Sequence, residues 1–259
     1  MSGKVDRRHE ALIAAVLGGV RDSQALGARL GVSMATIRRD LEQLAASGRL
    51  IRTFGGATPA GGHEPELSLV QRREIHRERK EAIARAAASF VRRGESVIID
   101  GGTTTAALAA QLKGRRELRV ITNSLQVAAT LAAEEGIELV TLGGAVRPMS
   151  LSTTGPLAEL ALRRLTADRV FLGADGVVAG RGLCEASQDQ IQLKELMMAQ
   201  AGEIYVLADS SKLGRAAQQA WAPLERPWTL VTDAAADATQ LAAFRQLPGV
   251  TVVQANAHE

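Results

Sequence analysis

Five short polar turns, each following an apolar run, carry the chemistry open to this sequence. They are Asp100-Gly-Gly-Thr-Thr-Thr105, Thr122-Asn-Ser124, Gly143-Gly144 with Arg147, Gly173-Ala-Asp-Gly176 and Ala208-Asp-Ser-Ser-Lys212. Gly101 and Gly102 let the backbone approach an anion. The hydroxyls of Thr103, Thr104 and Thr105, together with the free N–H groups of a helix that starts there, supply donors and a favourable dipole. Asn123 and Ser124 end the next run in the same manner. Lysines hold phosphate as point charges, and Lys80, Lys194 and Lys212 are the candidates. The Asp175 and Asp209 carboxylates can accept from hydroxyl groups, as can Asp100 at the head of its turn. Each turn alone equally caps a helix, and each lysine alone is equally a solvated one. Five in succession point to one convergent pocket for a phosphorylated, hydroxyl-rich ligand.

A second constellation lies near the N-terminus. Ile37, Leu41 and Leu44 make a stripe at i, i+4 and i+7. On a helix this leaves Ala35, Thr36, Arg38, Arg39, Glu42 and Gln43 facing out or flanking. Ser33 is placed to cap that helix. The N-terminal residues of a helix laid in the major groove reach base edges, so small or polar side chains at Ala35 and Thr36 permit close approach. Arg39 can donate a bidentate pair to guanine and Arg38 can hold a phosphate. Asp40 is a candidate to orient one of these arginines. Arg52 and the Gly55-Gly56 turn can form a wing over the backbone or the minor groove. Two arginines on a helix are by themselves an ordinary solvated face; the succession of helix, helix, glycine, capped helix, strand and glycine turn gives them a context.

The elements that must position these residues are legible in outline. Leu12, Ile13, Val16, Leu17 and Val20 form one helical face. A short helix from about Ser23 ends at Gly31, the Ser33 helix ends at Gly48, and a strand runs from Arg49 to Phe54. Thr58 to Glu66, with two prolines and two glycines, reads as a linker. A charged, alanine-rich helix is predicted from about Gln71 to Arg92. Apolar runs then alternate with helical stretches: 96–100, 118–122, 137–142, 169–172, 204–207, 229–232 and 250–253. Such alternation predicts a largely parallel sheet covered by helices. The expected domains are 1–57, a linker at 58–74, and 75–259.

Composition restricts the partners. Through Ala57 there are nine Lys+Arg against five Asp+Glu, and from Thr58 onward 22 against 23. The excess positive charge therefore sits on the small N-terminal domain and suits a polyanion. Aromatic residues are 3% of the chain, too few to stack single-stranded nucleic acid. Cys184 is the single cysteine, which excludes a disulfide framework and a cysteine-rich zinc site and fits a reducing cytoplasm. His9, His63, His76 and His258 lack ligand spacing. No metal or cofactor is expected. No apolar stretch approaches membrane-spanning length, and no signal-peptide core opens the chain.

The segment Val32-Ser-Met-Ala-Thr-Ile-Arg-Arg-Asp-Leu41 resembles the helix-turn-helix signature of the DeoR family of transcriptional regulators, and Gly48-Arg-Leu-Ile-Arg52 with Gly55-Gly-Ala57 resembles its wing. Arg79-Lys-Glu-Ala-Ile-Ala84, Asp100 to Thr105, Thr122 to Ser124, Phe171-Leu-Gly-Ala-Asp-Gly176 and Asp209-Ser-Ser-Lys-Leu-Gly214 resemble the family's C-terminal domain. The resemblance implies an α/β protein: a small winged helix-turn-helix followed by a Rossmann-like, ribose-5-phosphate-isomerase-like domain used as a sugar-phosphate sensor. Two positions depart from the family pattern: Phe54 where histidine often stands, and Gly101 where serine often stands.

The rival class is an enzyme interconverting sugar phosphates through a carboxylate base. The isomerases' pattern is Gly-Ala-Asp-Glu-Ile-Asp, with a later Lys-Gly-Gly. Here Gly173-Ala-Asp175 runs on into Gly176-Val-Val178, and Lys-Gly-Gly is lacking; Glu185 and Glu195 remain as the available bases. An architectural DNA-binding protein with no ligand leaves the row of polar turns unexplained. The expected reading is a cytoplasmic, homo-oligomeric (dimeric or tetrameric) repressor of carbohydrate genes that is not an enzyme. Its partners are double-stranded operator DNA, read as paired half-sites, and a phosphorylated sugar.

Overall fold

The computed structural model describes residues 2–17, 20, 22–53, 55–59, 66–216 and 218–256. The chain forms two compact units, Met1–Pro65 and Glu66–Glu259.

The first unit contains helices α1 (Ser2–Leu17), α2 (Ser23–Leu30) and α3 (Met34–Ala46) and an antiparallel pair, β1 (Leu50–Thr53) and β2 (Gly56–Pro59). Its core is small. Leu12, Val16, Leu26, Ile37, Leu41, Leu44 and Leu50 are fully buried, and Ile13 and Val20 pack against them. The predicted helical stripes are thus the packed ones, save Leu17, whose side chain lies outside the described residues. Asp22 caps α2 by accepting from the N–H groups of Gln24 and Ala25. Gly31 ends that helix at φ 64°, a conformation that disfavours a side chain. Phe54 lies outside the described residues.

The second unit contains α4 (Leu69–Glu74), α5 (Arg77–Ala88), β3 (Ser96–Ile99), α6 (Thr103–Gln111), β4 (Leu118–Thr122), α7 (Leu125–Leu131), β5 (Ile137–Thr141), β6 (Ala145–Arg147), β7 (Ser152–Thr154), α8 (Pro156–Leu162), β8 (Ala167–Leu172), β9 (Gly176–Val178), β10 (Gly182–Glu185), α9 (Gln188–Ala199), β11 (Ala201–Leu207), β12 (Ala220–Ala222), β13 (Trp228–Asp233), α10 (Ala238–Arg245) and β14 (Val250–Ala255). Seven of the strands form one parallel sheet in the order β14-β13-β11-β8-β3-β4-β5. A strand buried on both faces must be apolar at successive positions, and each face has its own core. Ile98, Ile121, Val170, Leu172 and Val206 pack beneath α8, α9 and α10. Val97, Ile99, Val120, Phe171, Tyr205 and Leu207 pack beneath α5, α6 and α7.

The structure draws the boundaries differently from the sequence. The wing strand β2 runs to Pro59, past the expected domain end at 57. Residues 66–74, expected as the end of the linker, belong to the second unit. Leu69 is buried there and its N–H donates to the Met149 carbonyl at 2.8 Å. The helix predicted from Gln71 to Arg92 is two, because His76 turns into the left-handed region at φ 54°. The hairpin β6–β7 and the three-stranded sheet β12-β10-β9 are additions that the sequence does not announce.

The chain winds outward from β3 to β4 and β5, and outward on the other side from β8 to β11, β13 and β14. The order therefore reverses between the neighbours β3 and β8. Ligands of doubly wound sheets bind beyond the carboxyl ends of the strands at such a reversal. Asp100 follows β3, and Gly173-Ala-Asp175 follows β8.

Candidate functional site

In the first unit, the α3 face is built as the sequence suggests. The Ser33 Oγ accepts from the Thr36 N–H at 3.3 Å and lies 2.9 Å from the Thr36 hydroxyl, so these two residues fix the helix start. Ala35, Arg38, Arg39, Glu42 and Gln43 are exposed, and Thr36 is half-buried. Arg52 is exposed on β1 and donates to the Gly56 carbonyl at 3.3 Å. Gly55 has φ 92° at the exposed tip of the hairpin. Gly56, expected to touch DNA, is buried, and the Gly55 carbonyl accepts from the Ser23 N–H at 2.9 Å, which ties the wing to α2. Asp40 does not pair with Arg38 or Arg39. It is buried and takes a two-point bond from Arg8 of α1, at 2.5 and 2.9 Å, with His9 at 3.4 Å. The Arg8 bond holds its carboxyl below the usual range. Arg38 and Arg39 thus remain outward.

In the second unit, the reversal between β3 and β8 holds a buried charged cluster. Lys194, on α9, is 1% exposed. Its ammonium bonds the Asp100 carboxylate, donates to the Gly173 carbonyl at 2.8 Å and lies 3.0 Å from Glu185. The Asp100 carboxylate also accepts from the Gly173 N–H at 3.2 Å. Burial works against the Lys194 charge, but Asp100 and Glu185 more than offset it and raise its pKa. Burial pushes the Glu185 carboxyl up to about 7; Lys194 opposes that rise, while Asp175 and Asp100 add to it. The two shifts fit one assignment. Lys194 stays charged, and Glu185 is the surplus carboxylate that burial drives toward its protonated form.

Further charges adjoin this cluster. Arg72 of α4 donates to the Asp175 carboxylate at 3.0 Å. Arg147 of β6 clasps Glu66 with both terminal nitrogens, one at 2.7 Å, and that bond raises the Arg147 pKa. Lys80 is buried, donates to the Arg72 carbonyl, and is pushed down to about 8 by burial; Asp209 opposes this, and Lys212 and Arg72 add to it. Among the described residues, Arg72 Nε, Asp175 Oδ2 and Asn123 Oδ1 are buried without a hydrogen-bond partner. Such atoms are few in native proteins, and each calls for a partner or a reason.

The predicted residues divide accordingly. Asp100, Gly101, Asp175, Lys194 and Arg147 converge, and Lys80, Asp209 and Lys212 form a neighbouring group. Others hold the backbone instead. The Ser124 Oγ caps α7 by accepting from the Val127 N–H at 3.3 Å, the Thr105 hydroxyl donates to the Gly102 carbonyl at 3.0 Å, and Asp209 accepts from the Ser211 N–H at 3.0 Å. Asn123 donates to the Thr153 carbonyl at 3.1 Å. Gly102 and Thr103 open α6, and Thr104 is buried behind them. Gly101 has a steric reason: a Cβ there would lie 2.8 Å from the Cβ of Ser152. Glu66 and Arg72 join the site without any motif to announce them. Glu185, which the sequence offers only as an isomerase base, joins it as a partner of Lys194, and Glu195 is exposed on α9. Cys184 is buried, and burial raises its thiol to about 11, so it is no nucleophile. Among the described residues, no group of His, Cys, Asp or Glu could hold a metal ion, and no helix is long and apolar enough to cross a membrane.

A winged helix-turn-helix and a doubly wound domain with a polar cluster at its reversal point define a two-unit DNA-binding transcriptional regulator. The chain belongs to the DeoR family: the DeoR-like helix-turn-helix domain matches residues 8–60 and the DeoR C terminal sensor domain matches residues 75–234. The regulator GlpR of Haloferax volcanii is 35% identical over 90% of this chain and 91% of its own. A putative aga operon transcriptional repressor of Escherichia coli O157:H7 is 31% identical over 98% and 94%. The lactose phosphotransferase system repressor of Lactococcus lactis subsp. lactis is 34% identical over 72% and 74%. These relatives are regulators, and the enzyme reading falls away. The ribose 5-phosphate isomerase A of Methanocaldococcus jannaschii aligns at a TM-score of 0.39 and 23% identity, over 51% of this chain and 52% of its own; a likeness at that level carries no argument about activity.

Proposed function

We propose that this regulator is a repressor of carbohydrate genes that leaves its operator when a phosphorylated sugar binds at the strand ends of the second unit. The observation that carries this is the buried cluster of Asp100, Glu185 and Lys194, with Asp175, Arg72 and Arg147 beside it, at the sheet's reversal point. Buried charges with unsatisfied polar atoms around them are costly, and a hydroxyl-rich anion is the kind of molecule that satisfies donors and acceptors of both signs together. Relatives named as repressors of a lactose phosphotransferase system and of an aga operon support the class of gene. On the DNA side, Ala35, Thr36 and Arg39 read bases, and Ser33, Arg38, Arg52 and Gly55 contact the backbone. Two copies read paired half-sites, in the cytoplasm, where such DNA lies.

The test uses duplexes that the protein itself enriches from a random pool. Bound duplex is followed by fluorescence anisotropy while sugar phosphates are added, each paired with its unphosphorylated sugar. Release by one phosphate and not by its sugar supports the reading. Retention of DNA under every phosphate refutes the effector class and leaves DNA binding intact.

A further inference from the structure

Glu66 is the first residue of the second unit, directly after Pro65, and its carboxylate is nearly buried there. It meets Arg147 at two points, and its Oε1 lies 3.9 Å from Arg72 Nη2. A guanidinium receives two oxygens of a carboxylate or of a phosphate through the same fork of donors. We propose that Arg72 and Arg147 form the subsite for the effector's anionic group, that Glu66 fills it in the ligand-free protein, and that the effector binds by displacing the Glu66 carboxylate. The inference deepens the effector reading given above and rests on it for the identity of the ligand.

Three observations carry it. First, the subsite is built but incompletely satisfied. Arg72 Nε lacks an acceptor, and Asp175 Oδ2, on the carboxylate that Arg72 holds, lacks a donor. A phosphate oxygen satisfies the first and a sugar hydroxyl the second; Glu66 does neither. Second, the subsite adjoins the glycine turn after β3. Arg147 is paired in register with Ser152 across the β6–β7 hairpin, and Ser152 packs against Gly101 in the glycine turn after β3. Third, Glu66 can leave while α4 stays in place. The chain is anchored three residues on, at Leu69, which is buried and bonded to Met149, and Ser68 closes a capping box with Gln71. Only Leu67 and Ser68 separate Glu66 from that anchor. Displacement therefore needs only a local movement of the chain at Glu66–Ser68, ahead of the Leu69 anchor.

The experiment is thermal unfolding of the full chain against rising inorganic phosphate, with sodium chloride at matched ionic strength as the control. A ligand that binds only the native state raises the midpoint in proportion to ln(1 + [L]/Kd). Glu66→Gln removes the internal competitor and should bind phosphate at least about tenfold more tightly than the native chain. Adding Arg147→Gln to that variant should abolish the gain. Should Glu66→Gln not fold, Glu66→Asp, one methylene shorter, is expected to show a smaller gain of the same sign. Equal affinity of the native chain and the Glu66 variant overturns the subsite. Sugar phosphates run in parallel separate the two readings. A phosphate gain on Glu66→Gln without any preference for a sugar phosphate supports the subsite and refutes the sugar. DNA release by a sugar phosphate whose affinity ignores Glu66→Gln does the reverse.

Discussion

Replacing Lys194 by methionine should destabilise the second unit severely, and in a way that depends on pH. The substitution keeps the aliphatic length and removes the one ammonium between Asp100 and Glu185, whose side chains are buried. Removing one partner of a buried ion pair costs about 3–5 kcal/mol, because an uncompensated charge stays behind. For a chain of this size one kcal/mol moves the melting midpoint by roughly 2–4 °C, so a fall of about 6–20 °C is expected at pH 8. Glu185→Gln should behave differently. With its carboxyl raised from 4.5 to about 7, Glu185 takes up a proton on folding. Such a group favours the fold fully below its unfolded pKa, and that contribution is lost as pH rises through about 7. The loss amounts to roughly 3 kcal/mol at about 1.4 kcal/mol per unit. Glu185→Gln should therefore match the native chain near pH 5 and exceed its midpoint at pH 8. Thermal unfolding by circular dichroism from pH 5 to 8.5 measures both. A Lys194→Met protein as stable as the native chain at pH 8, or a Glu185→Gln protein less stable there, would refute the assignment of Glu185 as the surplus carboxylate.

Further outcomes concern the two binding surfaces. Arg39→Ala should weaken duplex binding by about 1–3 kcal/mol and relax preference at one base position, while leaving the melting midpoint and sugar-phosphate binding unchanged, as anisotropy and calorimetry would show. Arg38→Ala should weaken all duplexes alike and lower the salt slope by about one. Lys212→Ala should keep the protein on DNA when sugar phosphate is added; normal release would remove that residue from the site. Because burial holds Lys80 near 8, sugar-phosphate affinity should fall as pH rises from 7 to 9, and titration calorimetry of Lys80→Gln should show that dependence flattened.

The parts of the fold legible in the sequence are those in which burial leaves a periodic trace. Strands such as Val170-Phe171-Leu172 sit between two helical layers, so their apolar runs are continuous. Ile37, Leu41 and Leu44 face one core, so their spacing is helical. Strands β6, β7, β9, β10 and β12 span three or four residues, too short for any period to emerge. The break at His76 is hidden because charged, alanine-rich sequence continues across it. Asp40 shows the limit for charged residues: adjacency to Arg39 suggests a partner, whereas the buried partner is Arg8, 32 residues away. Glu66 and Arg72 are hidden for a related reason. They come after a run of proline and glycine that reads as a tether, and tertiary contacts, that of Leu69 with Met149 among them, bring them to the cluster. Glu185 becomes a partner of Lys194 only once the β9–β10 hairpin folds it back.

The arrangement of charge bears on how the proposed effector site would respond to a ligand rather than merely hold one. Arg72, Arg147 and Lys194 are engaged by Glu66, Asp175, Asp100 and Glu185. An anion added to a cluster already balanced in this way meets carboxylates as well as guanidiniums. It binds well only if a carboxylate withdraws or takes up a proton. Glu66 is the carboxylate placed to withdraw, since it precedes the Leu69 anchor, and Glu185 is the one that burial drives toward protonation. Binding energy is thereby tied to a change in the protein. A ligand shifts a conformational equilibrium only by the difference in its affinity for the two states, and a site whose own side chain competes with the ligand has that difference built into its contacts.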